Sequence, residues 1–299
     1  MEVAVIGAGT MGIGIAHVSA AAGHSVNLRD LEPNIVMDAI DTISTRLGSG
    51  VDRGALSQSQ ADTALDQLDG TTDLESAVSS ADLVVEAIPE DLENKRELLA
   101  DIEEFVDEEA VIATNTSSLS VTAIATALKH PERAVGLHFF NPPHKMKLVE
   151  VVLAEQTSDE TAEFAEEFVA DLEKTAVVVQ DAPGFASSRL GLALGVEAMR
   201  MVEQGVASVE DIDASMELGY NHPVGPLELT DRVGLDVRLD ILEYLHEELG
   251  DRFEPPEILR RKVEQGNIGK KVGRGFYVWE GGEPKDVADD EDYDIEDVI

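Results

Sequence analysis

The chain contains no cysteine. Disulfides, thiol nucleophiles and cysteine-ligated metals are therefore excluded. Positive charge is also scarce: 22 Lys and Arg stand against 61 Asp and Glu, a formal charge of −39 over 299 residues. A field of that sign repels nucleic acid and anionic lipid, so neither is expected as a partner. It also opposes folding by self-repulsion. Concentrated salt removes that repulsion, because the screening length falls to about 3 Å at 1 M. The composition reads as adaptation to a salt-rich cytoplasm, and it speaks to environment rather than to chemistry. No apolar run reaches the roughly 18 residues that would span a bilayer. Met1-Glu2 runs directly into Val3-Ala4-Val5-Ile6, with no basic leader and no small-residue cleavage site. Neither a membrane span nor a secretory signal is expected, and the expected location is the cytoplasm.

What is present is a 43% hydrophobic content, enough for one large or two moderate cores. Residues 2–6 read as a buried strand ended by glycine, 12–22 as a helix and 25–28 as a second strand. Residues 32–69 are polar and helix-compatible, one or two helices. Further strands are expected at 83–88, 111–114, 134–138, 148–153 and 176–179, with helices at 92–106, 121–128 and 159–172. Strict alternation of this kind predicts an α/β fold, a mostly parallel sheet covered on both faces. Beyond Asp181-Ala182-Pro183-Gly184 only helical periodicity is visible, at 186–204, 209–218, 227–249 and 257–264. Ser208 and Asp211 have the spacing of a capping box. The expected domains are 1–182, an all-helical domain over 183–282, and a solvated acidic tail over 283–299.

Gly7-Ala8-Gly9-Thr10-Met11-Gly12 fits G-x-G-x-x-G. It follows a strand and opens a helix, and the next strand ends at Asp30. That context is a Rossmann-type dinucleotide turn. Gly7 permits the tight turn, Gly9 admits the pyrophosphate and Gly12 allows close helix–strand packing. Ala8, Thr10 and Met11 complete the loop at the helix N-terminus, where free N–H groups suit phosphates. Asp30 is placed to accept from the ribose hydroxyls and to repel a 2′-phosphate, so NAD is the expected cofactor. Arg29 beside it keeps NADP as the alternative.

Two more loops follow expected strands: Asn115-Thr116-Ser117-Ser118 and His138-Phe139-Phe140-Asn141-Pro142. Ligand sites in open α/β sheets lie beyond the carboxyl ends of the strands, which directs Ser117, His138 and Asn141 into one crevice. Glu150 follows within reach of His138. These stretches resemble the 3-hydroxyacyl-CoA dehydrogenase family. So do Glu86-Ala87-Ile88 with Glu90, Asp181-Ala182-Pro183-Gly184-Phe185, Gly225-Pro226, Gly269-Lys270-Lys271 and Gly275-Phe276-Tyr277. The likeness runs over about residues 1–280. It implies an NAD-dependent enzyme of fatty acid β-oxidation that oxidises (S)-3-hydroxyacyl-CoA, and a homodimer formed through the helical domain. By position it makes His138 the general base and Glu150 its partner. Ser117 would bond the reacting oxygen, and Glu90, Lys95, Ser117, Asn141 and Lys271 would contact the cofactor. The chemistry of the residue types agrees: an imidazole exchanges protons near neutral pH, and a carboxylate fixes its tautomer.

The sequence departs from the family in two places. Ser188 stands where the family carries an asparagine three residues after the Phe of Pro-Gly-Phe. Serine reaches less far than an amide and has one fewer polar group. The segment after the second strand, lysine-rich in the family, offers only Arg46 and Arg53 for the coenzyme A phosphates. These departures keep open a dehydrogenase of a free hydroxy acid, of the gulonate or carnitine kind. A non-enzymatic NAD-binding protein of the same fold is the third reading. The remaining histidines, His17, His24, His130, His144, His222 and His246, form no ligand-spaced set, so no metal is expected. Gly191 and Gly195 share a helix face that would admit close helix approach, in a dimer or within the domain.

Overall fold

The computed structural model describes residues 1–288. The chain divides into two compact units between Ala182 and Pro183. The first unit runs β1 (Glu2–Ile6), α1 (Thr10–Ala21), β2 (Ser25–Arg29), α2 (Pro33–Asp52), α3 (Gln58–Asp66), β3 (Leu68–Thr71), α4 (Leu74–Val78), β4 (Leu83–Glu86), α5 (Leu92–Glu103), β5 (Val111–Thr114), α6 (Val121–Ala125), β6 (Ala134–Phe139), β7 (Leu148–Leu153), α7 (Asp159–Asp171) and β8 (Thr175–Gln180). The strands form one sheet in the order β3-β2-β1-β4-β5-β6-β7-β8. Every pairing is parallel except that of β6 with β7.

The pattern of burial explains the sheet. Strands β4, β5 and β6 are buried at every position, and β1 at all but its first, as strands covered on both faces must be. Helix α2 buries Val36, Ala39, Ile43, Leu47 and Gly50, the spacing of a stripe turned to a core. Its successor α3 starts with a capping box, Ser57 with Gln60. The polar stretch 32–69 thus holds two helices, and then an edge strand that periodicity did not show. In β3 only Leu68 is buried, so the strand carries almost no apolar signal and exists by pairing with β2.

The second unit runs α8 (Ser187–Glu203), α9 (Val209–Tyr220), α10 (Pro226–Val233), α11 (Leu235–Leu249), α12 (Glu257–Glu264), β9 (Tyr277–Glu280) and β10 (Glu283–Val287). Ser208 caps α9 through the Asp211 N–H. Three expectations are corrected. The helix expected over 227–249 is two helices, because Gly234 takes φ 112° and its N–H closes α10 on Thr230. The unit is helical but not wholly so: β9 and β10 make an antiparallel hairpin. Its turn is Gly281-Gly282, both at positive φ, the chemistry of a tight primed turn. The expected tail at 283–299 therefore begins as a paired strand; 289–299 lie outside the described residues. Gly191 and Gly195 pack inward, towards Arg238 and Thr230, while Leu190 and Leu194 of α8 are exposed. Among the described residues no helix is long and apolar enough to cross a membrane.

Two buried carboxylates hold the second unit together. Asp213 accepts the Leu227 and Glu228 N–H groups and the Tyr277 hydroxyl, each at 2.8 Å. Asp231 accepts the N–H groups of Phe276 and Tyr277 and the Trp279 indole at 2.8 to 2.9 Å. Burial pushes both carboxyls up from the usual range, and these donors hold them back. Asp231 thus anchors the hairpin to α10. Its loss leaves three buried donors unpaired, at about 1–3 kcal/mol each. Asp231→Ala is expected to cost about 3 kcal/mol or more, read by denaturant unfolding in concentrated KCl.

Candidate active site

The glycine turn leaves β1 and enters α1. Gly7 has φ 106° and donates its N–H to the Arg29 carbonyl at 2.8 Å; a Cβ there would lie 2.7 Å from the Ala87 carbonyl oxygen. A Cβ on Gly12 would lie 1.7 Å from the Gly7 carbonyl oxygen. No side chain caps α1, and a Cβ on Gly9 would meet nothing within 4 Å. Uncapped N–H groups beside open backbone fit a dinucleotide diphosphate. Gly9 and Thr10 are exposed and Met11 half-buried, whereas Ala8 is buried. Asp30 accepts the Ala8 N–H at 2.7 Å through one oxygen and the Leu31 N–H at 2.7 Å through the other. Each oxygen keeps a lone pair for a ribose hydroxyl. The Arg29 Nε is turned to the Thr72 carbonyl at 3.3 Å, away from service as a 2′-phosphate clamp.

The ends of β4 and β5 are tied by an ionic network. Glu86 is fully buried and accepts Lys95 Nζ at 2.6 Å, the Thr114 hydroxyl at 2.6 Å and the Ile88 N–H at 2.7 Å. Lys95 also reaches the Ile88 carbonyl at 3.2 Å and Glu90 at 3.4 Å. With 1% exposure, Lys95 is held by Glu86, the Ile88 carbonyl and Glu90 and presents no accessible charge. Glu90 accepts the Thr116 hydroxyl, the Ser117 N–H at 3.0 Å and the Ser118 N–H at 3.2 Å. Burial opposes ionisation of Glu90, but Lys95 and these donors outweigh it and hold the carboxyl below its ordinary value. The loop bearing Ser117 is thus shaped by a carboxylate 27 residues before it. Ser120, not Ser117, caps α6, through the Ala123 N–H at 3.1 Å. That leaves the half-buried Ser117 side chain uncommitted to the helix. Asn115 is spent internally: its Oδ1 accepts the Phe139 N–H at 2.9 Å.

His138 is the penultimate residue of β6 and stands directly opposite Glu150 of β7 in the antiparallel register. Its Nδ1 lies 2.8 Å from Glu150 Oε2, with both residues at least 95% buried. The Phe140 ring packs on the imidazole, centroids 4.6 Å apart. Asn141 follows, exposed, before a cis peptide bond to Pro142. Gly7, Asp30, Glu90, Ser117 and Asn141 therefore follow the carboxyl ends of β1, β2, β4, β5 and β6, and His138 lies within the last two residues of β6. Arg46 is half-buried on α2 and Arg53 is exposed at its end. In the second unit Ser188 lies in the first turn of α8, half-buried. Lys271 pairs with Asp236 at 2.5 Å. Among the described residues no group of three or more His, Asp and Glu could hold a metal.

Residues 2–182 match the family model described as 3-hydroxyacyl-CoA dehydrogenase, NAD binding domain, and residues 184–279 match the C-terminal domain of the same family. The chain belongs to the 3-hydroxyacyl-CoA dehydrogenase family. It is 43% identical over 278 residues to a probable 3-hydroxybutyryl-CoA dehydrogenase of Deinococcus radiodurans, covering 93% of this chain and 99% of the other. It is 40% identical to the 3-hydroxybutyryl-CoA dehydrogenase of Bradyrhizobium diazoefficiens, covering 95% and 97%. The crystal structure of (S)-3-hydroxybutyryl-CoA dehydrogenase from Ralstonia eutropha superposes with a TM-score of 0.90 at 37% identity, covering 93% of this chain and 99% of that one. The cofactor is NAD, bound by the first unit.

Neither the Glu86–Lys95–Glu90 network nor the role of Asn115 follows from residue spacing. Only the carboxyl-end position of Glu86 on an apolar strand hints at it. The turn itself yields a direct test. Gly12→Ala places a methyl against the Gly7 carbonyl and must displace the turn. NADH affinity, read by fluorescence, is expected to fall roughly tenfold or more, the ~1–3 kcal/mol typical of an overpacked contact.

Proposed function

We propose that the chain catalyses the NAD-dependent oxidation of (S)-3-hydroxyacyl-CoA to 3-ketoacyl-CoA, with a preference for the four-carbon 3-hydroxybutyryl-CoA. The observation that carries this reading is the 2.8 Å contact between His138 Nδ1 and Glu150 at the end of β6, on the side of the sheet that bears the glycine turn. Bound NAD supplies the hydride acceptor for the carbon that carries the hydroxyl. His138 takes the hydroxyl proton. Glu150 engages Nδ1, so proton exchange falls to Nε2, and the carboxylate stabilises the imidazolium that forms. The Ser117 hydroxyl bonds the reacting oxygen and keeps it aligned, with its loop held by Glu90. With the hydroxyl proton held on His138, the oxygen is free to form the carbonyl as the hydride leaves for the acceptor that NAD would supply. In the reverse direction His138 returns the proton. Burial of the pair excludes water from this exchange.

Asn141, Glu90, Lys95 and Lys271 are read as the cofactor's further supports, with Lys95 acting through Glu90. Arg46 and Arg53 are read as cations for the coenzyme A phosphates, and Ser188 as the donor to the acyl group in place of asparagine. The second unit is read as the homodimer surface. Leu190, Leu194, Leu218, Tyr220 and Val233 leave large apolar side chains on its exterior, which supports that reading. The net charge supports a salt-rich cytoplasm as the enzyme's setting, and fatty acid β-oxidation is read as the process such a reaction serves.

The decisive assay is NADH oxidation with acetoacetyl-CoA in concentrated KCl, with free acetoacetate and NADPH as controls. Turnover of the thioester with NADH alone is expected. Turnover of free acetoacetate instead would transfer the reading to a hydroxy-acid dehydrogenase. His138→Gln is expected to lower kcat by about 10²–10⁴ while NADH affinity holds; undiminished turnover would remove His138 as the base. Ser188→Asn is expected to leave thioester turnover equal or raise it. Collapse of activity there would mean that Ser188 belongs to a site built differently from the family's.

A further inference from the structure

Four of the ten Lys and Arg of the first unit answer a carboxylate. Lys95 pairs with Glu86, Arg96 with Glu93, Lys129 with Glu104 and Arg133 with Glu103. The other six have no such partner among the described residues, and four of them, Arg46, Arg53, Lys145 and Lys174, act on one imidazole, that of His144. In a chain of charge −39 that is unexpected, and the four are not scattered. They surround two histidines, His17 of α1 and His144 of the loop after β6. The two imidazoles lie 5.8 Å apart. A bare backbone at Gly14, one turn before His17, lets Pro143 pack on α1, since a Cβ there would sit 2.5 Å from the proline ring. Lys174 Nζ fastens the same loop, donating to the Pro143 carbonyl at 2.6 Å and the Met146 carbonyl at 2.7 Å. One of its three donors remains.

Two polar nitrogens in this cluster are buried and unanswered. His17 is 8% exposed and its Nδ1 has no hydrogen-bond partner; Arg46 Nη1 is likewise buried without one. Buried polar atoms are normally satisfied, so such a pair marks a place where an acceptor is missing. The electrostatics agree on the sign of that acceptor. Burial first, then His144, Arg46 and Lys174, bring the His17 pKa down to about 4. Burial, Arg46, Lys145, Arg53 and Lys174 lower that of His144. No carboxylate offsets either shift. The acceptor is not the cofactor's diphosphate at the glycine turn. His17 lies eight residues beyond Gly9, about 12 Å further along α1 at about 1.5 Å per residue.

We propose that His17, Arg46, His144, Lys145 and Lys174 form an anion cradle that holds phosphate groups of the coenzyme A carrier. The inference rests on the acyl-CoA reading above. It extends that reading from the two arginines of α2 to α1, the loop after β6 and the start of β8. The guanidinium offers a planar fork and the imidazoles single donors, a set that matches phosphate oxygens. The carrier's acyl end is left to the His138 side of the same loop, three residues before Asn141. The cradle thus binds a part of the substrate that does not react, and its binding energy fixes the part that does.

The test compares two thioesters with one acyl group: acetoacetyl-CoA and acetoacetyl-pantetheine, which lacks the phosphates. His144 and Lys145 are exposed, so the double variant His144→Gln, Lys145→Gln removes two cradle groups without opening the core; Arg46→Gln is the second variant. The exposed pair is expected to raise KM for the CoA ester about tenfold, the scale of a charged hydrogen bond. KM for the pantetheine ester and NADH affinity by fluorescence should hold. An equal change for both esters, or none for either, overturns the cradle. Inorganic phosphate, run as a competing inhibitor, separates the sources. If the variant escapes phosphate inhibition while its KM for the CoA ester is unaltered, the site takes a free anion and the carrier assignment falls. Wild-type protein that turns over neither ester overturns the substrate reading itself, and the cradle's ligand with it. A wild type that prefers the CoA ester, with a variant indistinguishable from it, overturns the cradle alone.

Discussion

The reversal of the chain between β6 and β7 is the constraint around which the site is arranged. Residues 140–147 are too few for a parallel crossover, which needs about a dozen or more. So β7 returns antiparallel, the one such pairing in the sheet. Its register sets Glu150 opposite His138, at the Cβ separation of about 5 Å that any cross-strand pair enjoys. The 2.8 Å contact therefore needs no loop to make it, and rigid, buried strands supply the geometry. Every other candidate group in the first unit follows a parallel strand. The glycine turn, Asp30, Glu90 and Ser117 gather at that edge because parallel strands end on one side. Strands β7 and β8 run opposite to the other six, and β7 brings Glu150 to that side from the opposite direction.

The acidic composition takes two physical forms. Most of its carboxylates stay in water. A few are wholly or partly withdrawn from it, and each gathers several donors. Glu86 and Glu90 do this at the ends of β4 and β5. Asp181 accepts the Ser120 hydroxyl at 2.7 Å and the Thr122 N–H at 2.8 Å. Asp213 and Asp231 organise the hairpin in the second unit. Such groups are tolerable inside because nearly every lone pair has a donor. Glu86 draws the buried ammonium of Lys95. Removing one partner from a pair of that kind costs about 3–5 kcal/mol, so Lys95 contributes to the firmness of the loop that presents Ser117 whatever else it touches.

Much of this was legible in the sequence, and the failures have causes. Strands such as 111–114 and 148–153 were found to the residue because continuous apolar runs mark doubly covered strands. The glycine turn was legible because steric need fixes its residue types, and the Cβ contacts at Gly7 and Gly12 confirm that need. Strand β3 was missed because it buries one side chain. The hairpin was missed although Gly281-Gly282 announced its turn, since Tyr277, Val278 and Trp279 form too short a run to stand apart from helical neighbours. The break at Gly234 was lost because apolar spacing continues across it. Lys95 drew its reading from position; its burial against Glu86 depends on where α5 docks, which no local pattern encodes. The cation cluster was half visible in Arg46 and Arg53. Its other members come from α1, the loop after β6 and β8, brought together only by the fold.

The charge balance and the proposed cradle are two sides of one problem. A strongly negative protein and a polyphosphate substrate repel one another at long range. In concentrated salt that repulsion vanishes beyond about 3 Å, but so does any attraction from distant lysines. Steering by a diffuse basic face is then useless, and a surface stripped of lysine loses little by it. What survives screening is contact: donors held at hydrogen-bond distance, partly buried, with water excluded. The rational disposition of scarce cations is to collect them where a phosphate touches. A lysine-rich segment can be replaced by fewer groups if those groups are rigid, and Arg46, His17 and the Lys174-fastened loop are rigid. On that argument the depletion of lysine and the convergence of the unpaired cations follow from one physical condition, the loss of long-range electrostatics in salt.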